Sequence, residues 1–252
     1  MKLTILGSGT GWIRVERNAP GYLVQVENFY LLLDCGPGVL KQLLKKGYQL
    51  EDISAIFISH FHPDHLSDLI PLFFATRYNL GYHRREPFTL YAGKGFLTFY
   101  QKLKEAFGIW VSPPEGLLKI EELPLIENYS FYIGPFKAQT SPVKHNPESL
   151  ALRLEHQGKT LVYSGDTGFC EQIVKLSKKV DLLILECSNS ENFSVNHHLG
   201  PQEIASIVEK TQVKTLVLSH FYPHSENPNI ELIKKSFKGE IILAEDLMEI
   251  NL

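Results

Sequence analysis

Cysteine is scarce in this chain: three residues in 252, Cys35, Cys170 and Cys187, with no Cys-x-x-Cys pair. That excludes a disulfide framework and fits a reducing, cytoplasmic setting. Long apolar runs are missing too. No uncharged stretch approaches the about 18–20 residues of a membrane span, and Leu3–Leu6 is too short for the apolar core of a signal peptide. Charge of one sign is also lacking. A net charge of −3 excludes a nucleic-acid binder that works by bulk basic charge. With 44% hydrophobic and 21% charged residues, disorder is excluded as well. No Ser/Gly linker, low-complexity tract or internal repeat divides the sequence. One domain over residues 1–252 is therefore expected, with enough apolar residues to build a sizeable core.

Short β-rich runs recur along the chain: Leu3–Leu6, Tyr22–Val26, Tyr30–Leu33, Ala55–Ile58, Leu150–Leu154, Thr160–Tyr163, Leu182–Leu185, Thr215–Leu218 and Glu240–Leu243. Each is four or five residues, and most are bounded by turn-forming residues, so they read as strands. Helical stripes lie between them. Val39, Leu40, Leu43 and Leu44 form one that Gly47 ends, Ile204, Ile207 and Val208 a second with Pro201 in its first turn, and Ile230, Ile233 and Phe237 a third. The alternation predicts an α/β protein with helices on both sides of buried sheet.

The polar residues fall where the predicted strands end. Asp34, His60, Asp166, Glu186 and His220 each follow or close an apolar run. In open α/β sheets the crevice beyond the carboxyl ends of the strands is where ligands bind. The sharpest signal is Ser59-His60-Phe61-His62-Pro63-Asp64-His65, with four metal-ligand side chains in six residues. Such groups cannot all be buried without partners. His60 and His62, at i and i+2 after a strand, point the same way, while Asp64 and His65 project as the chain turns toward a helix. That division suits two ions.

The pattern His60-x-His62-x-Asp64-His65 resembles the signature of the metallo-β-lactamase fold, an αββα sandwich of two mixed sheets flanked by helices with a metal site along one edge. The resemblance runs nearly the whole chain. Leu6-Gly7-Ser8-Gly9-Thr10-Gly11 resembles the opening strand and glycine turn, Leu32-Leu33-Asp34-Cys35-Gly36-Pro37-Gly38 the segment before the first helix, and Leu90-Tyr91-Ala92-Gly93 a later strand end. Within the fold these segments are most similar to the ribonuclease Z branch, whose members cleave phosphodiesters. The resemblance implies two divalent ions per chain: His60, His62 and His145 on one, Asp64, His65 and His220 on the other, and Asp166 bridging. Zinc heads the expected metals, and manganese or iron suits the same donors. The implied nucleophile is a metal-bridging hydroxide oriented by Asp64. Two divalent ions, offset by Asp64, Asp166 and that hydroxide, leave a local charge of about +1, suited to a phosphate anion.

Asn196-His197-His198-Leu199-Gly200-Pro201 resembles a further segment of that branch. It implies that His198 stands beside the metals and pairs with Glu186, as a catalytic proton donor to the leaving oxygen. His197 has no counterpart and reads as solvated. Three departures bear on substrate. Leu185 stands where the branch has a histidine before the glutamate, and Trp12 and Ile13 stand near where it has Pro-Thr. His145 and Asp166 are only 21 residues apart, enough for a hairpin but not for the insertion that grips tRNA.

The expected function is thus a dinuclear metal-dependent hydrolase of small or cyclic nucleotide- or oligonucleotide-type phosphodiesters, with no membrane partner. Two alternatives stay open, tRNA 3′-end processing as by ribonuclease Z, and acyl hydrolysis of a lactam, lactone or thioester. A di-iron redox or sensor protein is opposed by His62, since such members usually carry glutamate there. Among other residues, Asp34 reads as a brace for the metal loop and the three thiols as buried and inert. The opening glycines resemble a phosphate loop, but only weakly. Arg77, His83, Arg84 and Arg85 read as a solvated helix end that substrate could reach. Phe96, Phe99, Tyr100, Phe107 and Trp110 read as core or as a homodimer interface. His156 and His224 read as surface.

Overall fold

Leu31-Leu32-Leu33 and Leu182-Leu183-Ile184-Leu185 are apolar at every position because both faces of their sheets are covered. The computed structural model describes residues 1–78 and 84–252. In chain order its strands are β1 (Lys2–Gly7), β2 (Gly21–Val26), β3 (Phe29–Leu33), β4 (Ile53–Ile58), β5 (Phe88–Gly93), β6 (Leu118–Leu123), β7 (Tyr129–Ile133), β8 (Phe136–Pro142), β9 (Leu150–His156), β10 (Lys159–Tyr163), β11 (Leu182–Glu186), β12 (Thr215–Ser219), β13 (Glu240–Leu243) and β14 (Glu249–Asn251). The helices are α1 (Val39–Lys45), α2 (Pro63–Leu66), α3 (Leu69–Tyr78), α4 (Phe96–Phe107), α5 (Glu171–Leu176), α6 (Pro201–Glu209) and α7 (Ile230–Ser236).

Two mixed seven-stranded sheets form, ordered β14-β1-β2-β3-β4-β5-β6 and β13-β12-β11-β10-β9-β8-β7. The period-2 alternation of strand side chains decides which layer each residue enters. Leu31, Leu33, Leu182 and Ile184 join the core between the sheets, with Tyr22, Phe57 and Phe136. Leu32 packs outward against α1, α2, α3 and α4. Leu183 and Leu185 pack outward against α5, α6 and α7. The layers are therefore α/β/β/α. Each fully buried Leu or Phe contributes about 1.5–3 kcal/mol relative to exposure.

Strand direction is what gathers the polar residues. β3, β4 and β5 run parallel, as do β10, β11, β12 and β13. Two antiparallel pairings, β8 with β9 and β9 with β10, turn β8 back into the same direction as β10. Residues following β3, β4, β8, β10, β11 and β12 thus emerge at one edge of the sandwich. The 21-residue interval from His145 to Asp166 is the hairpin β9–β10, closed by Gln157 (φ 48°) and Gly158 (φ 75°). Both in the left-handed region, they form the two-residue turn that matches strand twist.

Among the described residues, no helix is long and apolar enough to cross a membrane. One expectation needs correction. Arg84 is buried rather than solvated: its guanidinium donates to the carbonyls of Leu50, Ile53 and Glu86 and lies over the Phe88 ring at 4.4 Å. Those carbonyls and that ring absorb a charge that burial would otherwise penalise, so Arg84 braces the fold. Arg77 and Arg85 are exposed, and His83 lies outside the described residues. Of the opening glycines, Gly7 serves a close approach, since a Cβ there would stand 1.8 Å from the Ala19 carbonyl oxygen. Cys35 and Cys187 are buried, which raises their thiols well above the usual range, while Cys170 is half-buried.

Candidate metal centre

The edge brings all seven expected ligand residues together. One ligand atom from each of His60, His62, His145 and Asp166 forms a group within 4.8 Å, and Asp64, His65 and His220 form a second. Asp166 faces both. Its Oδ1 lies 3.3 Å from His65 Nε2 and 3.4 Å from His220 Nε2, and its Oδ2 lies 3.8 Å from His60 Nε2 and 4.0 Å from His145 Nε2. The chain must bend sharply to deliver these groups. Asp34 (φ 55°) and His220 (φ 59°), at the ends of β3 and β12, sit in the left-handed region that non-glycine residues rarely adopt. Gly165 (φ 57°) precedes Asp166 where a Cβ would press to 2.7 Å from the Ser59 Cβ.

Every imidazole in the cluster is held from behind, and the hold fixes which nitrogen faces inward. His65 Nδ1–H donates to Asp34 at 2.6 Å. His60 Nδ1 meets Ser59 Oγ at 3.0 Å, and that hydroxyl in turn donates to Asp34 at 2.7 Å. His220 Nδ1 meets Ser188 Oγ at 2.9 Å, and His145 Nδ1–H donates to the His197 carbonyl at 3.1 Å. His62 is reversed: its Nε2 meets the Asn146 amide at 3.0 Å, and its Nδ1 faces His145. The amide nitrogen is the atom that faces Nε2, and the opposite amide orientation, with its oxygen accepting from Nε2–H, is the one that leaves Nδ1 free as a ligand. Asn146, Ser188 and the His197 carbonyl carry no sequence signal of their own; only position beside a ligand could have flagged them.

The inward atoms are poorly satisfied by protein alone. Inward nitrogens approach to 3.2 Å in two pairs, His65 Nε2 with His220 Nε2 and His62 Nδ1 with His145 Nε2. Two lone pairs at that distance need a cation or a proton between them. Among the described residues, His60 Nε2 and Asp166 Oδ1 are buried with no hydrogen-bond partner. Tetrahedral coordination at Zn–N of about 2.0–2.1 Å places neighbouring nitrogens about 3.3–3.4 Å apart, close to what is found. The donor set therefore fits divalent metal.

Electrostatics agree. Burial works against ionisation of Asp166, yet the charges of His220 and His65 hold its carboxyl well below the usual range. Asp64 is held down in the same way, against burial, by His220 and His65. Burial and the crowd of imidazoles push His60 well below its usual range. His65 goes the other way: burial disfavours its charge, but Asp166 and Asp34 raise it strongly. A proton is thus the competitor that any metal would have to displace there.

Behind His65, the carboxylate of Asp34 is fully buried and accepts from His65, Ser59 N–H, the Ser59 hydroxyl and the Tyr163 hydroxyl (2.5 Å). Tyr163 remains a donor because burial and Asp34 push its phenol well above the usual range. Asp34→Ala leaves these donors buried without an acceptor and is expected to cost about 3–5 kcal/mol. Urea denaturation with no added metal checks this, and a loss under about 1 kcal/mol would contradict it.

Just outside the cluster, His198 Nδ1–H donates to Glu186 Oε1 at 2.7 Å. Glu186 is buried, and the backbone N–H groups of Thr167 and Ser188 also donate to its carboxylate. Burial alone would lower the His198 pKa, but the Glu186 carboxylate overrides it and lifts it to about 9. His197 is exposed, as expected. His156 is half-buried on the Pro135 carbonyl, and His224 is exposed at its edge but stacked on Tyr222.

Comparison with known proteins gives the family and the fold. The family described as beta-lactamase superfamily domain matches residues 30–221. A ribonuclease Z of Methanosarcina mazei is 30% identical, covering 99% of this chain and 97% of its own. That alignment runs over 302 positions, so about fifty of them face no residue in a chain of 252. A probable metallo-hydrolase of Bacillus subtilis, YhfI, is 28% identical over 250 residues, 97% of each chain. The crystal structure of YhfI, a metallo-beta-lactamase fold protein, superposes with a TM-score of 0.83 over 99% of both chains at 26% identity. Human short-form tRNase Z shares the fold, with a TM-score of 0.80 at 23% identity over 100% of this chain and 99% of its own.

Proposed function

The chain belongs to the metallo-β-lactamase superfamily as a ribonuclease Z-like, metal-dependent hydrolase, and from that premise we propose that it cleaves small phosphodiesters at a dinuclear centre. His60, His62 and His145 would hold one ion, Asp64, His65 and His220 the other, with Asp166 shared between them. Zinc suits these donors best. Two ions so placed would supply Lewis acidity toward a phosphoryl oxygen and a water of lowered pKa.

The chain's own groups then do the rest. Asp64, kept ionised, accepts a hydrogen bond from the attacking water and orients it. His198 is held by Glu186 through Nδ1, so its Nε2–H is the proton delivered to the departing alkoxide. The single observation that carries the phosphodiester reading is this 2.7 Å His198–Glu186 pair beside the ligands. The pair is set to protonate an alkoxide as it leaves phosphorus, a task that a thiolate leaving a thioester would not need. Turnover of bis(p-nitrophenyl) phosphate, set against nitrocefin and a thioester, tests the assignment. Preference for either acyl substrate would overturn it.

Folded tRNA is expected to be a poor substrate. The gapped alignment and the bare β9–β10 hairpin both support a chain without the gripping insertion. Precursor tRNA should compete weakly with small phosphodiesters. Efficient cleavage of a precursor at sub-micromolar concentration would restore the tRNA-processing assignment.

A further inference from the structure

Beside the ligands lies a cleft of about 420 Å³, lined by Trp12, Phe193, His198, Tyr222 and His224 among others. Its volume falls within the about 300–1,000 Å³ usual for small-ligand sites. None of its lining residues is an Asp, Glu, Lys or Arg. The Tyr222 and His224 rings stack at 5.4 Å and 12°, and Phe193 meets His224 at 4.7 Å. His224 Nε2–H donates to the Ser188 carbonyl at 3.0 Å, which fixes that ring. Trp12 and Phe193 remain 62% and 54% exposed, large apolar surfaces open to solvent.

The walls come from distant segments but are tied together. Arg14 and Arg17, following Trp12, both pair with Glu226 at 2.9 Å, and Glu226 follows Tyr222 and His224. Arg17 also lies over the Phe221 ring at 4.9 Å and donates to Ser8 and to the Ala244 carbonyl. Phe193 sits in the segment that Asn189 staples by accepting from Val195 N–H and donating to the Val195 and His198 carbonyls. His198 belongs to both places: it lines the cleft and pairs with Glu186.

We propose that this cleft is a nucleobase subsite, taking the planar ring of the leaving alcohol of a nucleotide-type phosphodiester. Aromatic rings wall the slot, and His198 is the one lining group held cationic, so phosphate selection falls to the metal cluster and to that edge and the rest of the slot presents flat apolar surface. It suits a flat π-system carried by the group that His198 protonates. The inference rests on the phosphodiesterase reading and narrows its substrate class to nucleosides on the leaving side.

The test pairs a dinucleoside monophosphate with the same compound carrying an abasic sugar on the leaving-alcohol side. The wild type should favour the intact compound by about 5- to 150-fold in kcat/KM, the range that base–aromatic stacking supplies. Trp12→Ala and Phe193→Ala, at exposed positions, should shrink that ratio, and Trp12→Phe should keep most of it. An abasic sugar on the other side should matter little. A second readout needs no turnover. The chain has two tryptophans, so in Trp110→Phe the fluorescence reports Trp12 alone, and adenosine but not ribose should quench it. Equal cleavage of both compounds, or no quenching, overturns the subsite while leaving the phosphodiesterase reading intact. Quenching without cleavage of any phosphodiester upholds the subsite and overturns the reaction instead.

Discussion

Asp166→Ala should fold, bind fewer than two ions and lose nearly all activity. Asp166 is the residue whose two oxygens face both ligand groups, at 3.3–3.4 Å on one side and 3.8–4.0 Å on the other. No single water can replace a carboxylate that spans two positions. The loss in turnover should exceed the about 10–100-fold typical of removing a group behind a ligand. Melting gives a second handle. Metal at a hundred times its Kd adds about 2.7 kcal/mol, which for a chain of this size raises Tm by about 5–10 °C. The wild type should show that rise on metal addition and the variant much less. Asp166→Asn, which keeps shape and removes charge, should behave like the alanine. Elemental analysis finding two ions in Asp166→Ala, or wild type with fewer than about one after supplementation, would contradict the shared-carboxylate reading.

Much of this centre is legible in the sequence for one physical reason. Ligand side chains are rare types, and here they sit at the ends of short apolar strands, where parallel order collects them. Nine strands read from composition are all present, usually one or two residues longer than their apolar cores. The strands that escaped notice lack that contrast. β6, Leu-Lys-Ile-Glu-Glu-Leu, lies at a sheet edge, where solvent permits charges that a central strand would reject. β7 and β8 form a hairpin around Gly134, and only pairing with β9 gives them a place. Short α5 carries too few residues to show a period.

The parts of the site that did not show through are common residues given meaning by tertiary contact. Asn146, Ser59 and Ser188 each hold a histidine ring nitrogen, yet nothing about an asparagine or serine announces it. The aromatic cleft is drawn from Trp12, Phe193, Tyr222 and His224, separated by most of the chain, so no local pattern could assemble it. Arg84 is the converse case. Its charged neighbours in sequence suggest solvent, while the carbonyls of Leu50 and Ile53, over thirty residues away, bury it.

His198→Ala should keep its metal and its fold, because His198 lies outside both ligand groups. Its loss should cost about 10²–10⁴-fold in turnover, the range for removing a general acid. The cost should depend on what leaves. A ribose alkoxide needs a proton as the bond to phosphorus breaks, so the penalty there should be full; p-nitrophenolate departs unaided, so it should be small. Glu186→Gln should follow the same pattern more weakly, since Glu186 acts on the substrate only through the imidazole it holds at 2.7 Å. Glu186 also accepts the N–H groups of Thr167 and Ser188, and the amide can retain one of those bonds through its oxygen. Parallel rates on an alkyl and a p-nitrophenyl phosphodiester, with metal content measured for each variant, make the check. Equal loss on both substrates would make His198 a phosphate-binding group, and loss of metal would make it an eighth ligand.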